Sequence, residues 1–395
     1  PAAEPDPAVY GSDAPYPDLA APIWRTDPAG EGSLLSVLVT PVRVSPARGM
    51  LLAAENVTVT ATLNALPPPE AAPAARRAAL VSMLEPGTYT YVVISTSNLL
   101  YHSPGPWNFQ TLCAARAAVG FTPALVSVEW IYQNYTGTNN PAKIRAFVQD
   151  AYQKWGLRYL LLGGTFDLLP VQKLYISIQE FFSARTAEIP ADAIYYGCMD
   201  GSFDNNGNGR YGELTDGVGG GDVDLTAEVM VGRFPVANAA ELAHMVRKTL
   251  RHERASPAEI APHAFIAEKM NLGTLVYADG FMNELRNGST AYGLDSLGFK
   301  TSPYASLFDA DITLYDSDSY IWNTSDALAF LNRNLHTVDH IGHGATKVCF
   351  KITTSNSSQM NALRAFTNEV PYFVYSQACN PGAFDTPDCF AEQLV

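Results

Sequence analysis

The sequence predicts an α/β protein: a mostly parallel sheet covered by helices, built in two subdomains, behind a β-rich N-terminal segment. Three observations carry that expectation. From Tyr91 onward, short apolar runs of strand length alternate with stretches carrying apolar residues at helical spacing, the pattern of repeated βαβ units. Over residues 1–66 the pattern is instead β-branched alternation around turn residues. Between the two, residues 67–85 are rich in Pro and Ala and read as a linker.

In the N-terminal segment, residues 34–44 and 56–63 read as strands, with turn chemistry at 45–49. Two strands are not stable alone, so further pairing is expected. The first subdomain, 86–255, has apolar strands at 91–95, 124–128, 159–162 and 227–233. Asn140 is placed to cap a helix with Pro141 at its first position. Ile144, Phe147, Val148, Ala151, Tyr152 and Trp155 then form one stripe, and Gly156 ends it. Gly163-Gly164 follows a buried strand, but neither GxGxxG nor a Walker pattern is present, so these glycines read as a tight turn. A second helix starts at Asn238, with Glu241 completing a capping box. The second subdomain, 256–395, continues the alternation: strand 264–267, helix 275–285, a strand to His343, a helix near 360–366 and a strand to Cys379.

The chain has 395 residues, 47% hydrophobic and 16% charged, which suits a packed protein rather than a disordered one. A formal net charge of −14 argues against nucleic acid or an anionic membrane surface as partner and favours cationic substrates. No run is long and apolar enough to span a membrane. The five cysteines, Cys113, Cys198, Cys349, Cys379 and Cys389, show no CxxC pair and no zinc spacing, and their odd number leaves at least one free thiol.

Chemistry concentrates in two stretches that each follow an apolar run, His340-Ile341-Gly342-His343-Gly344-Ala345 and Gln377-Ala378-Cys379-Asn380-Pro381-Gly382. His343 and Cys379 are 36 residues apart, enough for one strand–helix–strand crossover. Reactive groups in open parallel sheets sit beyond the carboxyl ends of strands, so neighbouring strands can bring the two together. An imidazole beside a thiol supplies thiolate near neutral pH. Gly344 lets a backbone N–H approach a substrate carbonyl, and the N–H of Cys379 can act as a second oxyanion donor. Period-two alternation puts His340 and His343 on opposite sides, and His343 is preferred because a glycine follows it.

The pair is similar to the His-Gly and Ala-Cys signature of caspase-like cysteine peptidases. The wider context resembles the gingipain family, peptidase family C25. It is carried by His340-Ile341-Gly342-His343-Gly344 before Ala345, by Ala378-Cys379-Asn380-Pro381-Gly382-Ala383-Phe384 with Cys389-Phe390-Ala391-Glu392, by 159–170 and by 231–235, in matching order from about residue 33 to the end. The resemblance implies a caspase-like fold and a secreted or cell-surface cysteine endopeptidase acting on proteins or peptides. In it Cys379 attacks the scissile carbonyl, His343 is general acid and base, and Glu268 orients His343. Asp279, 11 residues after Glu268, matches the carboxylate selecting Arg or Lys. Family members continue past the point matching Val395. The same resemblance leaves room for a transpeptidase, and an inactive surface module is the reading from another class.

Catalysis of this kind needs no cofactor. A structural calcium site is a separate expectation, because Asp204, Asn206 and Asn208 supply oxygens at loop positions 1, 3 and 5 before Gly209. Arg210 offers its carbonyl at position 7, and Glu213 stands in for the missing carboxylate at position 12, which is Thr215.

Overall fold

The computed structural model describes residues 87–395, apart from 180–183, 218–220, 224, 273–274, 292–294 and 304, together with the backbone of four N-terminal strands. β1 (Ala20–Thr26) pairs antiparallel with β2 (Ser33–Val39), and β3 (Val42–Ser45) with β4 (Met50–Ala53). The single strand expected over 34–44 is therefore divided between β2 and β3. The strand expected at 56–63 and the linker at 67–85 lie outside the described residues.

Residues 87–113 and 122–395 belong to one compact unit. Its first sheet uses β5 (Tyr91–Ser95), β6 (Pro123–Ser127) and β7 (Tyr159–Gly163). After a ribbon of β8 (Lys173–Gln179) and β9 (Ala184–Pro190), it is completed by β10 (Met230–Phe234). The order is β10-β7-β5-β6, all parallel. Strands covered on both faces read as continuous apolar runs, and Val92, Val93 and Ile94 of β5 are all fully buried.

The second sheet begins with β11 (Pro262–Ala267) and a small hairpin of β12 (Lys269–Leu272) and β13 (Leu275–Tyr277). β14 (Asp309–Tyr315) and β15 (Thr337–Ile341) follow. A second hairpin joins β16 (Val348–Cys349) to β17 (Ile352–Thr353), and β18 (Phe373–Ser376) comes last. The order is β14-β11-β15-β18, again all parallel.

Helix Asn140–Trp155 shows how local chemistry makes an element. Asn139, one residue earlier than expected, is the cap, because its extended backbone aims the side chain at Ala142 N, 2.9 Å away. Ile144, Phe147, Val148, Ala151 and Trp155 are buried against the first sheet, whereas Tyr152 is exposed. The helix expected over 275–285 begins later, at Asp279, and runs to Asn287. Leu275-Val276-Tyr277 prefers a strand, and Asp279 favours a helix N-terminus through the backbone dipole.

The turn after β7 is held by Arg233 of β10. Its guanidinium donates to Gly164 O (2.6 Å) and Leu169 O (2.8 Å) and pairs with Asp192 at 2.5 and 2.9 Å. The two glycines thus serve a turn clamped by an arginine, with a structural role for the Val231-Gly232-Arg233-Phe234-Pro235 run.

Three histidines gather at the amino-terminal end of the second sheet. His336 stacks on His252 at 4.5 Å, and His263 lies 6.0 Å from His336 with Phe299 and Phe308 against it. Burial, and then the neighbouring His336, pushes the pKa of His263 down to about 4. Burial, and then His252, lowers His336 as well. The unfolded chain protonates both near pH 6.5, so below that value it binds more protons than the native state. Stability is therefore expected to fall between pH 6.5 and 4, by on the order of 2–3 kcal/mol for His263. Urea unfolding at pH 7, 5.5 and 4.5 measures this, and His263→Gln should flatten the decline. An equal acid sensitivity in that variant would assign the effect elsewhere.

Candidate active site

β15 and β18 are adjacent and parallel, and their register pairs His340 with Ser376. His343 and Cys379 each follow three residues beyond that pair, so both loops leave the same end of the sheet in step. Gln377 N donates to His340 O at 2.8 Å, carrying the strand pairing into the loop. Beyond it the loops press together. A Cβ added at Gly344 would sit 2.6 Å from Ala378 Cβ and 3.3 Å from Pro381 Cδ, which is why the position after the histidine has no side chain.

Cys379 is exposed and free, and His343 is exposed. The other four cysteines are buried. Burial pushes the Cys349 and Cys389 thiols up to about 11, so they stay protonated. The thiol available for reaction is Cys379.

Glu268 does not meet His343. Its carboxylate is buried and accepts from His340 Nε2 at 3.1 Å. The reason is the pleat: Ile266 pairs in register with His340, and Glu268, two residues later, lies on the same face. The chain has left the strand by His343, whose Nε2 instead donates to the backbone carbonyl of Lys269 at 3.1 Å. The orienting partner expected as a carboxylate is a carbonyl one residue further on.

His340 is the residue that sequence reasoning set aside. It is fully buried, whereas His343, beyond the end of β15, is exposed. Its Nδ1 meets Ser376 Oγ at 2.8 Å, and Cys349 Sγ lies 3.7 Å from that nitrogen and 3.5 Å from the Ser376 oxygen. Glycine is again required, since a Cβ on Gly342 would lie 2.3 Å from His340 Nε2 and 2.5 Å from the Glu268 carboxyl carbon.

Asp279 opens helix Asp279–Asn287 and is half-buried. Its charge acts on Tyr315, whose hydroxyl is pushed up to about 12 chiefly by burial. A groove of about 740 Å³ runs beside this helix, with Met270, Phe281, Leu285, Phe299, Ile341 and Gln377 among its lining residues. Ile341 and Gln377 bring it to within two residues of His343 and Cys379. Asp279 is not among the lining residues.

In the Asp204–Glu213 loop the oxygens already have backbone partners. Asp204 accepts from Gly209 N (3.1 Å), Asn206 from Asn208 N (3.0 Å) and Asn208 from Arg210 N (2.8 Å). Glu213 accepts from Asn208 Nδ2 at 2.6 Å and pairs with Arg210 at 3.4 Å. Among the described residues, no three His, Cys, Asp or Glu side chains are grouped to hold a metal. Asp216, just beyond the loop, is fully buried, and its Oδ1 has no hydrogen-bond partner.

An exposed thiol and an exposed imidazole thus follow neighbouring parallel strands at matched positions. The sequence profile of peptidase family C25 matches residues 85–395, and the chain belongs to that family. That family is one of peptidases, and the fold, α/β with mainly parallel sheets flanked by helices, is consistent with the caspase-like type. No curated protein matches the chain. One solved structure, described as "Structure of Protease", is similar at 16% identity and a TM-score of 0.48. The match covers 77% of this chain and 56% of that one, so the chain spans little more than half of its length. No described helix is long and apolar enough to cross a membrane.

Proposed function

We propose that the chain is a secreted or cell-surface cysteine endopeptidase that cuts after Arg or Lys. The observation that supports it most is the placement of Cys379 and His343 at equal distance beyond the paired His340 and Ser376. With Nε2–H of His343 held by Lys269 O, Nδ1 is the nitrogen left to accept the thiol proton. The thiolate attacks the scissile carbonyl, and the N–H groups of Gly344 and Cys379 stabilise the oxyanion. As the C–N bond breaks, the imidazolium returns its proton to the leaving amine, giving a thioester. Water, deprotonated by the same nitrogen, then releases the acid.

Labelling with an acyloxymethyl ketone carrying Arg, followed by mass mapping, tests the assignment: the adduct is expected on Cys379. An adduct on another cysteine, or none, would overturn it. Adding a primary amine separates two fates of the thioester, since a product mass carrying the amine indicates a transpeptidase. The secreted setting rests on the family resemblance alone.

Calcium is the second part of the proposal. Asp204, Asn206, Asn208, the Arg210 carbonyl and Glu213 would hold it, and the unpaired Asp216 oxygen is a further hard donor nearby. A set dominated by amides and carbonyls suits weak affinity, in the range of about 10⁻⁴–10⁻³ M known for extracellular modules. Calcium at several millimolar should raise the unfolding temperature by mass action, and a chelator should reverse the gain. A midpoint indifferent to both would remove the site.

A further inference from the structure

Beneath the two loops runs a buried row of side chains that the proposed chemistry does not use. Glu268 follows the last residue of β11, His340 lies in β15, and Ser376 ends β18, so the row runs across the carboxyl ends of three neighbouring strands. Its hydrogen bonds assign themselves. Ser376 Oγ accepts from Ala378 N at 3.2 Å, so its single O–H is free to donate to His340 Nδ1 at 2.8 Å. That leaves the proton on Nε2, which donates to Glu268 at 3.1 Å. The Cys349 thiol, kept protonated by burial, closes the remaining side of Ser376 at 3.5 Å.

The order Glu-His-Ser is that of a hydrolytic triad, but the geometry excludes a second active site. His340 is fully buried, and the space beside its ring admits no more than the hydrogen of Gly342. What the row reaches is the backbone N–H of Ala378, the residue before the nucleophile. The far side of the same loop is also fastened. Phe384 lies under the Arg233 guanidinium at 5.0 Å and 6.3 Å from Phe166, and Asp385 pairs with Lys173 at 2.6 Å. Cys379 therefore sits in a short span tied at one end to the first sheet and at the other to this buried row.

We propose that His340 and Ser376 are positioning residues for Cys379, holding the Ala378 N–H and hence the thiol and N–H of Cys379 in register with His343. The inference rests on the reading of Cys379 as the nucleophile. An error of about 1 Å in such placement costs roughly 10²-fold in rate. Ser376→Ala removes one oxygen without changing size. It is expected to lower kcat on labelled casein by about 10- to 100-fold with KM within about twofold, and to slow alkylation of Cys379 by iodoacetamide. Ser376→Thr, which keeps the hydroxyl, should restore both rates. His340→Gln can keep an N–H at the Nε2 position for Glu268 but has no acceptor at the Nδ1 position that Ser376 meets. It should match Ser376→Ala, and the double variant should be no worse than either alone, because one chain of bonds is broken once.

Wild-type kcat in Ser376→Ala, failure of Thr to restore it, a loss confined to KM, or additive losses in the double variant would each overturn the proposal. Activity surviving in Cys379→Ala would instead overturn the nucleophile reading itself. A dead Cys379→Ala beside a fully active Ser376→Ala would overturn the positioning role alone.

Discussion

Replacing Cys379 with Ala is expected to reduce peptide hydrolysis by a factor on the order of 10⁶, as the loss of a nucleophile does in other peptidases. The reason is that no other group can stand in for it. The four remaining thiols are buried, and burial pushes Cys349 and Cys389 up to about 11, so both stay protonated. The expected cost in stability is small, within about 0.5 kcal/mol, because the residue is exposed. That contrast makes the measurement clean: turnover collapses while the unfolding midpoint stays. His343→Ala should lose a comparable amount, and the double variant should be no slower than the worse single one, since thiol and imidazole act as a unit. Substantial turnover in Cys379→Ala would remove the mechanism, whatever the fold.

The second large effect concerns selectivity. If Asp279 receives the substrate's basic side chain, an uncharged substrate leaves its half-buried carboxylate unpaired. For a buried charge that costs roughly 3–5 kcal/mol, or about 10²–10³ in relative rate. Partial exposure of Asp279 places the expectation at the lower end. Arg should lead Lys, because its planar fork matches a carboxylate bidentately. Asp279→Asn is expected to erase most of the preference while leaving hydrolysis of poor substrates unchanged. Profiling on a peptide library decides it. Preference for an apolar residue before the cut would rule out Asp279 as selector and point to the groove lined by Met270, Phe281 and Phe299.

Much of the architecture was legible from local patterns. Apolar runs bounded by turn residues became β5, β7, β10 and β11, and the parallel order follows from their alternation with helices. Errors came where two local preferences competed. The 275–285 stretch has both strand-forming residues and a helical continuation, and the structure divides it at Ala278. The ribbon of β8 and β9 was missed because its register is set by cross-strand pairing, as at Tyr175↔Glu188, rather than by a clean apolar repeat.

The sequence by itself determined that this is an α/β chain of peptidase family C25 with a thiol and an imidazole following strand-forming runs. Those features are local: a buried strand announces itself by composition, and the thiol and imidazole are read directly beside the small residues that follow it, whereas the close approach of Gly344 to Ala378 is a tertiary fact. Only the tertiary structure decided which histidine receives Glu268. That choice depends on strand register between residues some 70 positions apart, where Ile266 faces His340 and the pleat sends Glu268 inward with it. The same register put Ser376 beside His340 and left the Lys269 carbonyl to hold His343, because a hydrogen bond follows where the backbone has placed its partners.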